Sequence, residues 1–223
     1  MKLQAKLLFS PVKWLVCLAF VCIIPIAMYV PTYFDFVNVS TIYLPFVGIV
    51  LFSDIAILDK GSSTEEIAYL SSRKPIRVLL QRYLISLLLL LIYILLANGV
   101  FRIMQQFRGE MMIESISLFT YILNVGGGSL LIGAMAMTIT ALINNVYVGY
   151  GFSIVYWVYW NINCLTEAFI NPFPFIANPT FYQMPLAVIY GLTLLIIIIA
   201  CFLSGKSPFY LNDKIRKWFI ANK

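Results

Sequence analysis

Apolar residues run through this chain in six long windows: Trp14 to Val30, Ile42 to Leu58, Leu79 to Val100, Ile116 to Ile143, Val146 to Ile170 and Pro185 to Leu203. Each approaches the roughly 20 residues a helix needs to cross the hydrocarbon of a bilayer. The pattern predicts an all-α, polytopic membrane protein with six transmembrane helices in a single domain over residues 1–223. The polar stretches between the runs are short. External loops of that size cannot fold as a domain of their own, and the tight link at Asn144 and Asn145 makes the fourth and fifth runs antiparallel neighbours.

The longest polar interruption is a charged island, Ser62-Ser63-Thr64-Glu65-Glu66-Ile67-Ala68-Tyr69-Leu70-Ser71-Ser72-Arg73-Lys74-Pro75. Ser62 and Ser63 each stand three residues before a glutamate, the reciprocal arrangement that caps a helix start. Glu65 and Glu66 then sit at the positive end of the helix dipole, and Arg73 and Lys74 at the negative end. Pro75 ends the helical stretch. The spacing predicts a short helix over 62–75, too short to be stable alone in water. It must rest on the remainder of the chain or on a soluble partner.

Residues 1–13 carry Leu3, Leu7 and Leu8 on one stripe and Lys2 and Lys6 elsewhere, which suits an interfacial helix. The tail, 206–223, repeats the design with Leu211, Ile215, Trp218 and Phe219 against Lys214, Arg216 and Lys217. Between the last two runs, residues 171–184 open with Asn171-Pro172-Phe173-Pro174-Phe175-Ile176-Ala177-Asn178-Pro179. Three prolines cannot continue a helix, yet the stretch is too apolar for a wet loop. It reads as re-entrant structure at the outer surface, shielded by protein.

Composition agrees with the pattern. The chain is 62% hydrophobic and 11% charged, against about 25% charged residues in soluble domains. Of 15 Lys and Arg, 13 lie near the N-terminus, between Lys60 and Arg82, or in the tail. The positive-inside rule therefore places both termini in the cytoplasm of a cell-membrane protein. The net charge of +6 is a topology signal, and basic residues spread over three juxtamembrane segments give no nucleic-acid footprint. The first run is followed by Pro31, Tyr33, Phe34 and Asp35 rather than small residues at a cleavage site, so it is expected to be retained. Cys17, Cys22, Cys164 and Cys201 lie within apolar runs at spacings that match no metal or redox motif.

The chain has no histidine, which excludes histidine-dependent dyads, triads and metal sites. No catalytic constellation remains, and no enzyme activity or bound metal is expected. Ala200-Cys201-Phe202-Leu203-Ser204-Gly205-Lys206-Ser207 resembles a phosphate-binding loop only in text, because no strand precedes it and Pro208 follows. Ionisable residues within membrane runs point to function by default. Asp54 and Arg82 lie at similar depth on consecutive antiparallel helices and are expected to form a structural ion pair. Glu167, beside the proline-rich break, is suited either to a cationic substrate or to capping local backbone. Gly126, Gly127, Gly128, Ser129, Gly133 and Ala134 place small residues on the fourth run, for close packing or as a hinge. The aromatic fifth run, Tyr156 and Trp160 included, wraps more of its helix than an interface belt would, and offers a path for an amphipathic substrate.

With these residues in view, the chain resembles the membrane subunit of an ABC-2 type (type V exporter) ABC transporter. The resemblance rests on the six-run plan, the amphipathic lead-in, and Phe52-Ser53-Asp54, Gly61, Glu66, Leu70-Ser71-Ser72-Arg73-Lys74-Pro75, Arg77 and Arg82-Tyr83-Leu84. The proline-rich connection is similar to the family's re-entrant hairpin. The resemblance implies that helix 62–75 is the cytoplasmic coupling helix, with Glu65, Glu66, Tyr69, Leu70 and Arg73 against an ATPase subunit. It also implies ATP-driven export of an amphipathic peptide, lipid or antimicrobial compound, with cytosolic ABC ATPase subunits holding the ATP and Mg. This chain would bind no cofactor. A second permease subunit, identical or related, and membrane lipids complete the expected partners. The rival expectation is a secondary transporter or channel that uses Asp54 and Glu167 for ion coupling.

Overall fold

The computed structural model describes residues 10–28, 30–58, 75–108 and 116–204. Residues 1–9, 62–74 and 206–223 lie outside the described residues, and with them most of the interfacial lead-in, the coupling-helix candidates Glu65, Glu66, Tyr69, Leu70 and Arg73, and the tail. Every described element is helical: α1 Pro11–Ala27, α2 Tyr33–Tyr43, α3 Pro45–Phe52, α4 Pro75–Arg108, α5 Leu118–Ile143, α6 Val146–Ile162, the one-turn α7 Pro174–Ala177, and α8 Gln183–Ser204.

Four helical stretches are long and apolar enough to cross a membrane: Tyr33–Phe52, Ile76–Arg108, Leu118–Ile143 and Gln183–Ser204. The first combines α2 and α3 across a break at Pro45, whose missing N–H deprives the Thr41 carbonyl of its usual donor. The Trp157 indole of α6 reaches the neighbouring Ile42 carbonyl at 2.7 Å. Helices α1 and α6 have 17 residues each, about 26 Å at the α-helical rise and a little short of the ~30 Å hydrocarbon thickness.

Several boundaries differ from the sequence expectation: α3 ends at Phe52 rather than Leu58, α4 runs from Pro75 to Arg108 rather than from Leu79 to Val100, and two further differences have a visible cause. The second apolar helix starts at Tyr33 rather than Ile42, because Thr32 caps it. Its hydroxyl oxygen accepts from the Asp35 N–H at 3.1 Å, and the hydroxyl donates to the Asp35 carboxylate at 2.6 Å. The fifth helix stops at Ile162 rather than Ile170, where the Asn163 side chain donates to the Tyr159 carbonyl at 2.8 Å and occupies a last-turn acceptor.

Side-chain contacts show how the helices alternate in direction. Lys13, at the start of α1, meets Asp54 just past α3. Gln105, late in α4, donates to the Val30 and Pro31 carbonyls beyond α1 at 3.3 and 3.2 Å. Tyr150, early in α6, reaches the Val50 carbonyl near the end of α3 at 3.4 Å. Tyr190 of α8 donates to Leu123 early in α5 at 2.9 Å, and Thr138 late in α5 reaches Ile196 of α8 at 3.4 Å. Thus α1, α4 and α6 run away from the Asp54 end, and α2–α3, α5 and α8 run back towards it. The turn between α5 and α6 uses Asn144 in the left-handed region, φ 59°, which asparagine tolerates. Asn145 then caps α6 by accepting from the Tyr147 N–H at 2.9 Å.

Helix α5 is the hub, packed against α8, α3 and α6. Its glycines explain how. A Cβ at Gly128 would lie 2.8 Å from the Pro172 carbonyl oxygen, one at Gly127 2.8 Å from Leu186, and one at Gly133 2.7 Å from the Phe52 ring. Small residues let these backbones touch, which supplies dispersion where lipid removes the hydrophobic driving force between helices. The close-packing expectation for Gly126 to Gly128 and Gly133 therefore matches the structure. The outer faces are the converse: Leu80, Leu84, Leu88, Ile92 and Leu95 form an exposed stripe on α4, and Leu194, Leu195, Ile198, Ile199 and Phe202 one on α8. Continuous apolar surface of this kind fits a membrane environment better than water.

Candidate functional site

Two regions of the bundle concentrate polar chemistry, one at each end. At the first, α3 stops at Phe52 and the chain turns through Ser53 to Leu58. A helix end leaves carbonyls without intrahelical donors. Here neighbouring helices supply them: Tyr150 donates to Val50 at 3.4 Å, Ser86 to Leu51 at 3.4 Å, and the Arg82 guanidinium to Ile55 in the turn beyond at 3.3 Å. Asp54 sits beside this negative helix end, an unfavourable place for a carboxylate. Lys13 forms an ion pair with its Oδ2, while Oδ1 is buried with no hydrogen-bond partner. Both side chains of the pair are less than one-fifth exposed.

Where Arg82 was expected on Asp54, the ion pair among the described residues comes from Lys13. Arg82 comes to the same level, its guanidinium on the Ile55 carbonyl. The lysine's flexible four-carbon stem carries its charge from the start of α1 into the cluster. The arrangement clamps α1, α3, α4 and α6 around the stretch that leads into residues 59–74.

At the opposite end, residues 163–182 form an irregular connection in which Asn171 to Phe175 are buried. Asn171 builds it. Its Nδ2 donates to the Cys164 and Thr166 carbonyls at 3.0 and 2.8 Å, and its Oδ1 accepts from the Phe173 N–H at 2.9 Å. The Pro172 backbone then lies on Gly128, ten residues into α5, about 15 Å along its axis. The connection expected over 171–184 is therefore sunk into the bundle.

Beyond it lies an open depression of about 240 Å³, lined by Glu167, Phe169, Pro174, Asn178, Phe181, Pro185 and two alanines. Asn178 donates to Glu167 Oε1 at 3.0 Å. Its own Oδ1 accepts from the N–H groups of Thr180 and Phe181, each at 3.2 Å, and from the Thr180 hydroxyl at 2.7 Å. One asparagine thus fixes both the carboxylate and the turn that presents Phe181.

Of the three residues expected along a substrate path, only Glu167 lines this depression. Tyr156 donates to the Ile170 carbonyl at 2.9 Å, and Trp160 is buried, edge-on to both Tyr156 and Tyr159. Tyr156 thus ties the connection to α6. Phe169 and Phe181 were not singled out from the sequence, and Lys13, Tyr150 and Asn178 stood out only as a border of the first run, a member of the aromatic fifth run and part of the proline-rich connection. Asn178, three residues before Phe181 and followed by Pro179, carried a readable turn signal; the Lys13 contact had none beyond the antiparallel order of the first two runs.

All four cysteines are free thiols, and no group of three or more potential metal ligands occurs among the described residues. Compared with protein-family models, curated proteins and solved structures, the chain matches none.

Proposed function

We propose that this chain is the membrane permease subunit of an ATP-driven exporter of the ABC-2 type, acting with separate cytosolic ATPase subunits and a second permease subunit. The observation that carries the reading is the course of the chain. Helices alternate between the two ends of the bundle, and the step from α3 into α4, the start of α1 and the end of α8 all lie at the Asp54 end. Lys13 and Arg82 lie at that end, and by chain order the other basic residues of the N-terminus, of 60–82 and of the tail would join them, 13 of 15 in all, on the side that faces the cytoplasm under the positive-inside rule. The sunken proline-rich connection before α8 supports the same plan. Under this reading α1 and α6 also span, and flanking residues or local bilayer thinning absorb their small shortfall in length.

Hydrolysis takes place on the partner, with its ATP and Mg. Helix 62–75 rests in the ATPase through Glu65, Glu66, Tyr69, Leu70 and Arg73, and its displacement enters the bundle by two routes: through Pro75 into α4, and through the 53–58 turn into α3. Arg82, Ser86, Tyr150 and Lys13 tie those routes together. The ion-coupled rival is less well supported, since Lys13 neutralises Asp54 and Glu167 is exposed at the far end. The test is a permease–ATPase complex reconstituted in proteoliposomes, assayed for ATP hydrolysis and for ATP-dependent movement of amphiphiles. Glu65→Lys and Glu66→Lys are expected to leave the permease folded and to uncouple the two activities. Equal coupling in both variants and wild type would overturn the docking assignment.

A further inference from the structure

We propose that the Glu167 depression is a recognition site for a single cationic side chain, lysine or arginine, carried by an amphipathic peptide. The inference rests on the permease reading, which puts this end of the bundle outside the cell, and it names a substrate class for that permease.

Four observations lead to it. Among the described residues, Glu167 is the only ionisable one in the wall, and its hydrogen bond from neutral Asn178 engages Oε1. A carboxylate has about four acceptor sites, so Oε2 remains open to a donor, and its charge calls for a cation. Next, Phe169 and Phe181 are 61% and 75% exposed at the rim. Aromatic faces attract ammonium and guanidinium groups, and the proline rings beside them suit a methylene stem.

Size is the third consideration. At about 240 Å³ the depression falls below the roughly 300–1,000 Å³ of sites that enclose a whole drug-sized ligand. It accommodates one charged head and its stem, with the apolar body of the ligand left outside. Exposed Leu165, Ile170 and Met184 adjoin the site in the chain and offer that body an apolar surface. Finally, among the described residues the wall contains no lysine or arginine. A zwitterionic phospholipid would bring its phosphate next to Glu167 with no cation to receive it, whereas a peptide side chain carries no adjacent anion.

Asn178 is a positioning residue here. It holds the carboxylate with its amide nitrogen and the Phe181 turn with its oxygen, so the aromatic and the charge keep a fixed relation.

The test uses the full chain purified in a neutral maltoside detergent, with a fluorescent leucine–lysine amphipathic peptide and its lysine-acetylated counterpart as probes. Wild type is expected to bind the lysine peptide about tenfold more tightly than the acetylated one, the scale of one charge-assisted contact. Glu167→Gln should remove that preference and leave binding of the acetylated peptide unchanged. Glu167→Asp should retain part of the preference, and Phe181→Ala should weaken binding of both peptides. Unchanged melting temperature and monodispersity show that the variants fold. Equal affinity of wild type and Glu167→Gln for the lysine peptide would overturn the proposal. So would displacement of the peptide by a short-chain phosphocholine amphiphile at stoichiometric concentration, which would mark a lipid site. Purification of the same chain from its native membrane separates the two readings. Charge-selective binding without an associated ATPase leaves the site standing and removes the permease; an ATPase with charge-blind binding does the reverse.

Discussion

A partly buried ion pair is defined by which cation reaches the carboxylate, and in this chain that cation is Lys13. Its removal should matter, because both side chains are less than one-fifth exposed. An unpaired charge at membrane depth costs roughly 2.5–3.5 kcal/mol on the insertion scale, and the Oδ1 atom of Asp54 already lacks a hydrogen bond. Lys13→Gln and Asp54→Asn are each expected to lower the detergent melting temperature, and the double variant to recover much of the loss, with a coupling of about 1–3 kcal/mol. Additive losses in the melting series would show that the pair contributes nothing. The depth of Asp54 and Arg82 was legible because apolar runs set it. The partner was not, since hydropathy places Lys13 at the mouth of a membrane helix and says nothing of where a long side chain folds back.

Among elements, α5 decides how closely its neighbours approach. Gly128→Ala would press a methyl group against the Pro172 backbone, 2.8 Å away, while Gly99→Ala on α4 meets nothing within 4 Å. The first change is expected to destabilise by about 1–3 kcal/mol. The second should be neutral or stabilise by up to about 1 kcal/mol through helix propensity. Thermal unfolding of both variants in one detergent checks the contrast, and equal effects would mean that the connection does not press on α5. The glycine run was readable as a packing face because small residues favour close helix approach whatever their partner. The start of α2 was not read, although Thr32 and Asp35 form a cap of recognisable spacing; the apolar window opened only at Ile42, and local hydrogen bonding starts the helix nine residues earlier. At the end of α6 the apolar count ran on to Ile170, whereas Asn161 and Asn163 already marked the exit.

For the whole molecule, alternation of the described helices brings the start of α1, the start of α4 and the end of α8 to one end of the bundle, and under the proposed reading segment 62–75 faces the cytoplasm from that end. Single cysteines introduced in a background without the four native thiols should test this directly. Thr180→Cys is expected to react with an impermeant maleimide from outside, and Ser63→Cys and Asn222→Cys only after permeabilisation. Labelling of either of the latter in intact cells would reverse the topology.

The central claim, that this membrane chain is driven by a separate ATPase, is tested most directly by a photo-crosslinking residue at Tyr69 in segment 62–75, activated in native membranes. The account predicts a crosslinked cytosolic protein that binds ATP and whose yield falls in Glu65→Lys and Glu66→Lys. Crosslinks confined to lipid or to this chain itself, with no ATP-binding protein among the adducts, would contradict it.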